Sequence, residues 1–558
     1  MEPKSNLNTL GDNANYINEM ELKNDSSSKQ AHFLTLRKNK RMNLHVKRFE
    51  PQKESDKYKL NQNSYDSSNE IIQKFFNSED KPGFLFQLIS NLNNTQFDPN
   101  LIKFILVQSN NFYDSQKESN DNLKVFENFF NQQIVDNLIN IMSIMKNDLI
   151  IIYNTCSLLV ELTYKSTQIT KIITLNIKNI QNIFECLSHE DKVVNVIVLN
   201  LLYNCYLEDE DSVNRNCNIG LYIFGKLNDY YLNFNKKLDK TVKIDDENLK
   251  ILVSFLSIII NKNTSSVYRN SNLEVRNNII NYLILICKDA IDENLKLDSH
   301  DALERVLGLM EPEDINLDDI GVCNLVNIFL PHIKLESNNP NIIESSMQVI
   351  DKLSYLCDVE IFINKDLIDE FENILITLND MNTNQMNPKP FYKNFKKKNI
   401  NSILNSLAII LTNTITYIKH EKYISKETNI INNLTLSLKI NELKDETIVN
   451  IYGFFKDFMT NKDNCVKVIL ANFLDVGIID SLNKFISQKS YEPIQSALDI
   501  CLLMLKECND LLDGKGNIIK IYLERKGFNE ILNLIIGADF GNTNNSELAK
   551  NIQENFFK

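Results

Sequence analysis

Apolar residues recur with the period of an α-helix from about residue 69 to the C-terminus. Clear examples are IVDNLINIMSIM at 134–145, NLLYNCYL at 200–207, VRNNIINYLILIC at 275–287 and IQSALDICLLML at 494–505. Their apolar positions fall at i, i+3, i+4 and i+7, which places them on one helix face. The alternation of apolar and polar residues that is typical of strands is rare. The pattern therefore predicts an all-α protein.

The helical patterns themselves repeat along the chain. Residues 477–486 and 527–536 share the order Gly, apolar, any, acidic, any, Leu, Asn, any, apolar, Ile, and weaker copies lie at 134–142 and 367–375. Equivalent helices are spaced by about 40–50 residues or multiples of that, which is the period of armadillo and HEAT repeats. One such unit cannot bury its own apolar face, whereas stacked units form a continuous core. We expect a right-handed armadillo-type solenoid over residues 67–558, with about ten repeats.

Composition supports the helical interpretation and excludes several classes of protein. Gly numbers 13 and Pro 10 in 558 residues, so helix-breaking residues are scarce. The net charge of −13 argues against direct binding of nucleic acid, which needs a basic surface. Asn is abundant, which we interpret as a low-complexity coding bias.

The cysteines and the chain's apolar segments indicate a reducing compartment. Most of the ten cysteines lie in apolar runs and none forms a C-x-x-C pair, so we expect buried thiols. The N-terminal residues contain no apolar signal region, and no apolar run is long enough to span a membrane. We therefore expect a protein of the cytoplasm and nucleus without a membrane span.

No motif indicates catalysis, a metal site or a cofactor. The six histidines are scattered, and there is neither an H-E-x-x-H motif nor a Cys/His cluster. Residues 220–227, GLYIFGKL, superficially match a phosphate-binding loop. Leu227 stands where Ser or Thr would bind Mg²⁺, and the intervening residues are bulky, so we expect a buried helix there. The sequence predicts a non-enzymatic protein.

Residues 1–66 differ from the rest of the chain, because they are polar and poor in branched aliphatic residues. Such a segment cannot bury a core, so we expect a flexible arm. Within it, residues 36–48 (LRKNKRMNLHVKR) carry six cations, all of them in the 12 residues from 37 to 48. In an acidic chain this pattern is typical of a helix that binds an acidic protein groove. It is also compatible with a solvated charge run or with a nuclear localisation signal of the protein itself.

The basic segment resembles the importin-beta-binding segment of the importin-alpha (karyopherin alpha) family of nuclear import adaptors. That family's pattern is L-R-K-x-K-R-x(5)-K-R, and the matching residues are Leu36, Arg37, Lys38, Lys40, Arg41, Lys47 and Arg48. Residues 522–531 and 548–557 are similar to that family's last repeat. The resemblance thus covers most of the chain, although it is diverged.

The resemblance implies a set of partners. Importin-beta would bind residues 36–48, and cargo proteins with basic or atypical nuclear localisation signals would bind the concave face of the solenoid. The region 520–558 would contact an export receptor. The alternative reading is an armadillo protein-interaction scaffold with no transport role, in which the basic arm is a tether or a localisation signal.

The resemblance also implies where cargo peptides would bind. The family holds them with Trp and Asn residues four positions apart on successive repeats, and the Trp indoles stack on Lys or Arg stems. This chain has no Trp. Asn200, Asn204 and Glu208 take the Trp, Asn and acidic places of one repeat, Tyr282 takes a Trp place, and Asn413 takes an Asn place. Cargo recognition would therefore be altered, because Asn offers no cation–π attraction.

Overall fold

The structure is a computed structural model. It describes residues 69–92, 98–115, 129–236, 247–260, 272–310, 322–334, 339–357, 365–383, 395–414, 424–440, 443–461, 478–510, 518–537 and 543–557. Helices are the regular elements throughout these ranges, and none of the described residues lies in a strand. The predicted all-α fold is confirmed. The arm predicted for residues 1–66 lies outside the described ranges.

The chain forms two compact units. Unit 1 consists of two stretches of the chain. The first runs to Ile223, and the second ends at Phe255, inside a later helix. Its helices are α1 (Glu70–Asn77), α2 (Lys81–Ser90), α3 (Pro99–Ser115), α4 (Gln132–Ile144), α5 (Leu149–Lys165), α6 (Thr167–Leu175), α7 (Ile177–Glu185), α8 (Lys192–Glu208), α9 (Glu210–Asn216), the start of α10 (Ile219–Lys236) and most of α11 (Glu247–Ile259).

Unit 2 contains the rest of α10 and α11 and all later helices. These are α12 (Leu273–Asp289), α13 (Glu293–Leu307), α14 (Val322–Ile333), α15 (Pro340–Leu356), α16 (Lys365–Thr383), α17 (Lys397–Thr414), α18 (Ile424–Ser437), α19 (Asp445–Asn461), α20 (Ile478–Gln488), α21 (Tyr491–Asp510), α22 (Ile518–Arg525), α23 (Phe528–Gly537) and α24 (Thr543–Ile552). A π-helical turn follows at Gln553–Phe557.

Acidic N-caps set where several long helices begin. The Asp148 carboxylate accepts from the amides of residues 150 and 151 at the start of α5, and Asp191 accepts from residues 193 and 194 at the start of α8. Asp292 does the same for α13. An oxygen at this position satisfies amides that have no partner within the helix and adds a favourable charge at the positive end of the helix dipole.

Helices pack side by side in rows, and most of the members are long. In unit 1 the row is α3, α5 and α8, and in unit 2 it is α13, α15, α17, α19, α21 and α24. Other helices, most of them shorter, form a second layer, with α4 on α7 in unit 1 and α14, α16 and α18 in sequence in unit 2. The apolar core lies between the two layers, so each helix buries the face that its apolar period predicted. We refer to the first set as the long-helix rows.

The glycine of the repeated sequence motif has a conformational role. Gly527, between α22 and α23, has a φ of +78°, and a Cβ there would lie 3.2 Å from a carboxylate oxygen of Glu530. Glycine adopts this left-handed conformation without the steric cost that other residues meet. The acidic residue three positions after the glycine, also part of the motif, therefore sits against the turn that starts α23.

The cysteines described in the structure behave as predicted. Cys156, Cys186, Cys205, Cys217, Cys287, Cys357 and Cys501 are free and buried. Burial raises the pKa of Cys186 and of Cys217 to about 12, so both stay protonated at neutral pH. A protonated, buried thiol is a poor nucleophile and serves as a small apolar side chain.

Residues 220–227 lie inside α10, where Ile223 and Leu227 are buried. The prediction of a helix at this position, made against a phosphate-binding loop, is therefore confirmed, although the helix is buried on one side only, since Leu221 is 54% exposed. Across the described ranges, no helix combines the length and apolarity that crossing a membrane requires.

Candidate interaction surface

Asparagine side chains connect successive helices of the long-helix row in unit 1. The Asn110 amide on α3 donates to the carbonyl oxygen of Asn154 on α5 at 2.9 Å. The Asn204 amide on α8 donates to Thr163 Oγ1 on α5 at 3.1 Å. These partners are 44 and 41 residues apart in sequence, close to one repeat. Part of the Asn content, which the sequence analysis interpreted as coding bias, thus links one repeat to the next.

A longer chain of polar contacts crosses five helices of unit 2. Lys352 Nζ on α15 lies 4.0 Å from Glu304 Oε1 on α13, and Gln348 Nε2 on α15 donates to Ser402 Oγ on α17 at 3.0 Å. Asn450 on α19 donates to Asn405 on α17 at 2.7 Å, and Lys456 on α19 pairs with Asp499 on α21 at 3.1 Å. We call these residues the polar row; they are Glu304, Gln348, Lys352, Ser402, Asn405, Asn450, Lys456 and Asp499.

The polar row borders a face of unit 2 that solvent reaches. Each of its residues is half-buried or exposed. Gly453 lies between Asn450 and Lys456 on α19, and a Cβ built there meets no atom within 4 Å. A glycine in the middle of a helix costs about 0.5–1 kcal/mol relative to alanine, and it leaves the helix backbone open to close approach. The face therefore offers side-chain amides, charges of both signs and accessible backbone to a polypeptide partner.

One end of the polar row carries two carboxylates that share one lysine. Lys352 Nζ lies 4.0 Å from Glu304 Oε1 and 4.0 Å from Asp351 Oδ2. Burial raises the pKa of Asp351 to about 6, although Lys352 opposes the shift, and burial also raises the pKa of Glu304. Near neutral pH this end of the row therefore holds carboxylates that proton binding or a further cation would stabilise.

Three of the residues that the resemblance assigned to cargo binding lie together on α8. Asn200, Asn204 and Glu208 follow one another at four-residue spacing and so share one side of the helix. Asn200 and Glu208 are half-buried, whereas Asn204 is buried. Besides its bond to Thr163, the Asn204 amide lies 3.3 Å from the Val160 carbonyl oxygen, so its donor group is engaged with α5. The proposed role of these three residues in binding cargo stays a prediction.

Tyr282 lies in unit 2 and is buried. Its ring is nearly parallel to that of Tyr230 on α10, with centroids 6.3 Å apart, and the Tyr231 ring meets it edge-on at 6.3 Å. The side chain that takes a Trp place in the resemblance therefore packs among other tyrosines in this structure. A peptide could stack on it only after these neighbours moved.

Asn413 lies near the end of α17 in unit 2 and is half-buried. Its amide donates to Ser354 Oγ on α15 at 3.0 Å, and the Ser354 hydroxyl also lies 2.7 Å from the carbonyl oxygen of Asp351. Asn413 is thus another amide that connects neighbouring long helices. Tyr282 lies on α12, which packs on α13 and α14, whereas α17 packs on α15, α16 and α19.

The remaining predicted site residues, Leu36 to Arg48, lie outside the described ranges. Within those ranges, no group of three or more His, Cys, Asp or Glu side chains is arranged to hold a metal ion. The polar row was not identified from the sequence. A signal existed in pairs such as Asn405 and Asn450, which are 45 residues apart, but the many other asparagines obscured it.

Replacing Asn204 with alanine should destabilise unit 1 by about 1–3 kcal/mol, because it removes the donor for two polar groups on α5. Asn200→Ala, one turn earlier on the same side of α8, should change stability by less than about 0.5 kcal/mol. Chemical denaturation of both full-length variants measures the difference. Equal stability of the two variants would contradict a structural role for the Asn204 amide.

Comparison with known proteins shows the fold. No protein-family model and no curated protein sequence matches the chain. The crystal structure of SYS-1 is similar with a TM-score of 0.53 and 10% identity, over 94% of this chain and 99% of that one. The SYS-1/POP-1 complex aligns with a TM-score of 0.49 and 11% identity, over 87% of this chain and 86% of that one. Kap121p bound to Pho4p aligns over 87% of this chain and 55% of that one, with a TM-score of 0.31 and 10% identity.

The likeness to SYS-1 extends over nearly the whole of both chains. At this level of identity it concerns the fold and not the function. Together with the stacked helices of each unit, it confirms the predicted fold class, an all-α solenoid of the armadillo/HEAT type.

Proposed function

We propose that this protein is a non-enzymatic nuclear import adaptor. Residues 36–48 would bind importin-beta, and cargo would bind exposed faces of the long-helix rows. The observation that carries the proposal is the order of parts in one chain, in which a basic segment with the family spacing precedes an all-α solenoid. Such an adaptor would move between the cytoplasm and the nucleus.

The charge distribution supports the importin-beta half of the proposal. The chain has a net charge of −13, yet residues 37–48 contain six cations. A basic segment that folds in an acidic groove gains charge-assisted contacts and loses conformational entropy when it orders. By the resemblance of residues 36–48 to the importin-alpha segment, the protein with that groove would be importin-beta.

The polar row supports the cargo half. It presents amides, two lysines and two paired carboxylates along five neighbouring helices, as an extended polypeptide would need. The chain has no Trp, so cation–π sandwiches with indole cannot contribute. Cargo affinity would depend on hydrogen bonds and charge, and it would therefore fall steeply with salt. Export-receptor binding at residues 520–558 is part of the same proposal.

Capture of the full-length chain by immobilised importin-beta tests the first step. The double variant Arg37→Glu, Lys40→Glu should lose about tenfold or more in affinity, because like charges then face the acidic groove. The matched control is Lys57→Glu, Lys59→Glu, which makes the same charge change in the same arm outside the motif. The control should bind like the wild type.

Two results would contradict the adaptor proposal. One is a wild-type chain that importin-beta does not capture, and the other is equal capture of the two double variants. Either result would leave a protein-interaction scaffold without a transport role, in which the basic segment serves another purpose. Matching circular dichroism spectra of all three proteins would show that the substitutions left the solenoid folded.

A further inference from the structure

Two histidines from different helices meet in the core of unit 2. His300 lies on α13 and His332 on α14, and their ring centroids are 5.2 Å apart. Phe329, also on α14, packs against both rings, with centroids at 5.4 Å and 6.0 Å. His300 is fully buried and His332 is 6% exposed. The contact between α13 and α14 is therefore built on two titratable rings.

The hydrogen bonds around the pair suit neutral rings. His300 Nδ1 lies 3.1 Å from Ser345 Oγ and 3.4 Å from Ser346 Oγ, both on α15. His300 Nε2 and His332 Nδ1 are buried and have no hydrogen-bond partner among the described residues. A neutral imidazole has one N–H, whereas an imidazolium has two and needs an acceptor for each. Protonation of either ring would thus bury an N–H that has no acceptor, which is costly.

The charges around the pair also disfavour protonation. Lys296, one turn before His300 on α13, acts on both rings, and each proton would face that ammonium group. Burial, then His332 and Lys296, hold the pKa of His300 well below its ordinary value, and burial followed by Lys296 lowers the pKa of His332 to about 4. Glu304 on α13 and Asp351 on α15 both lie at Lys352.

Other charged residues lie on the helices that pack against α14. They are Glu274, Arg276, Lys288 and Asp289 on α12, Asp298, Asp301 and Arg305 on α13, Glu344 on α15, and Asp366, Asp369, Glu370, Glu372 and Asp380 on α16. The pKa of each histidine is lowered by burial and by Lys296, and that of His300 also by the neighbouring His332. No carboxylate accepts a hydrogen bond from either ring among the contacts of the described residues.

α14 lies outside the long-helix row of unit 2. It has 12 residues, and Pro331 inside it has no amide hydrogen with which to close the last turn. α14 packs on α12, α15 and α16, whereas α13 and α15 pack directly on each other in the long-helix row. Movement of α14 away from His300 would therefore leave the row in place.

We propose that α14 is an acid-sensitive clasp on unit 2, held against α13 and α15 by the neutral His300–His332 pair and released when the medium acidifies. The direction of the pH effect follows from the linkage between proton binding and docking of α14. Both rings bind protons less readily when docked than when exposed, so docking is fully favoured above about pH 6.5 and weakens as the pH falls below that value. In that range, each ring lowers the equilibrium constant for docking by about tenfold for each unit by which the pH falls.

Hydrogen–deuterium exchange of the full-length chain at pH 7.4 and pH 5.5, corrected for the intrinsic pH dependence of exchange, tests the clasp. pH 5.5 is about one unit below the ordinary pKa of an exposed histidine. At that pH the two rings together should raise the population of residues 322–333 in the open state by up to about 100-fold. α8 in unit 1 serves as the internal reference and should not change. His332→Phe keeps an aromatic ring against Phe329 and should reduce the acid response to about tenfold, since one titrating ring remains.

His300→Gln provides a second variant, because its amide can still bond to Ser345 and it should give the same reduction. The proposal is overturned if residues 322–333 in the wild type exchange equally at both pH values. It is also overturned if α8 opens together with α14, which would mean global unfolding, or if both variants keep the full acid response.

Discussion

Leu202→Ala should lower the stability of unit 1 by about 2–5 kcal/mol, because it creates a cavity in the core around α8. Leu202 is fully buried on α8, in a run with buried Leu199 and Leu201. α8 packs on α5 and α6, which precede it in the chain. In a stacked array each repeat depends on its neighbours, so the loss should spread to α5.

Leu175→Ala is the matched control, since the same atoms are removed from a leucine that is 78% exposed at the end of α6. It should change stability by less than about 0.5 kcal/mol. Chemical denaturation followed by circular dichroism gives the two shifts, and hydrogen exchange in α5 and α8 shows whether the loss is shared. A loss for Leu202→Ala no larger than the control's would contradict the assignment of α8 to the core.

The helices could be predicted from sequence because their apolar period is local. The pattern at 275–287 became Leu273–Asp289, and the pattern at 494–505 became Tyr491–Asp510. In both, the apolar residues of the pattern lie within a single helix, and the observed ends extend beyond the pattern because polar caps and first turns carry no apolar signal. The repeat spacing likewise fixed the solenoid, since stacking is what repeated amphipathic helices require.

The candidate surface was harder to predict, because a side chain's partner lies about one repeat away. Gln348 and Ser402 are 54 residues apart, whereas Asn405 and Asn450 are 45 apart, so no single spacing locates the pairs. Asn204 illustrates the same difficulty. The family pattern marked its position, and the structure adds that its amide bonds to α5. Which side of a helix faces solvent depends on the packing angle between repeats, and that angle is not encoded locally.

The buried titratable groups show a second limit of sequence analysis. His300, His332 and Asp351 look unremarkable as single residues in helical patterns. Their properties arise because the packing of α13, α14 and α15 buries them. Burial and a shared lysine decide the protonation of Asp351, and neither can be inferred from neighbours in sequence.

Asp351→Asn should stabilise unit 2 by about 1–3 kcal/mol at pH 7.5 and by almost nothing near pH 4. Burial raises the pKa of Asp351 from 3.8 to about 6, so the folded state binds this proton more tightly than the unfolded state. The ionised carboxylate therefore costs stability above about pH 6, and the cost disappears as the pH falls from 6 towards 3.8. Asparagine has the same shape and no charge, and Lys352 keeps its pairing with Glu304.

The measurement is the difference in unfolding free energy between the variant and the wild type across pH 4 to 8. Contributions from His300 and His332 are common to both proteins and cancel in that difference. Asp229→Asn removes an exposed carboxylate from α10 and is the matched control, which should give a small difference. If Asp351→Asn instead destabilised the protein at pH 7.5, attraction to Lys352, 4.0 Å away, would outweigh desolvation of the carboxylate. The acidic end of the polar row would then be a stabilising ion pair. A cation from a bound partner would gain less binding free energy there.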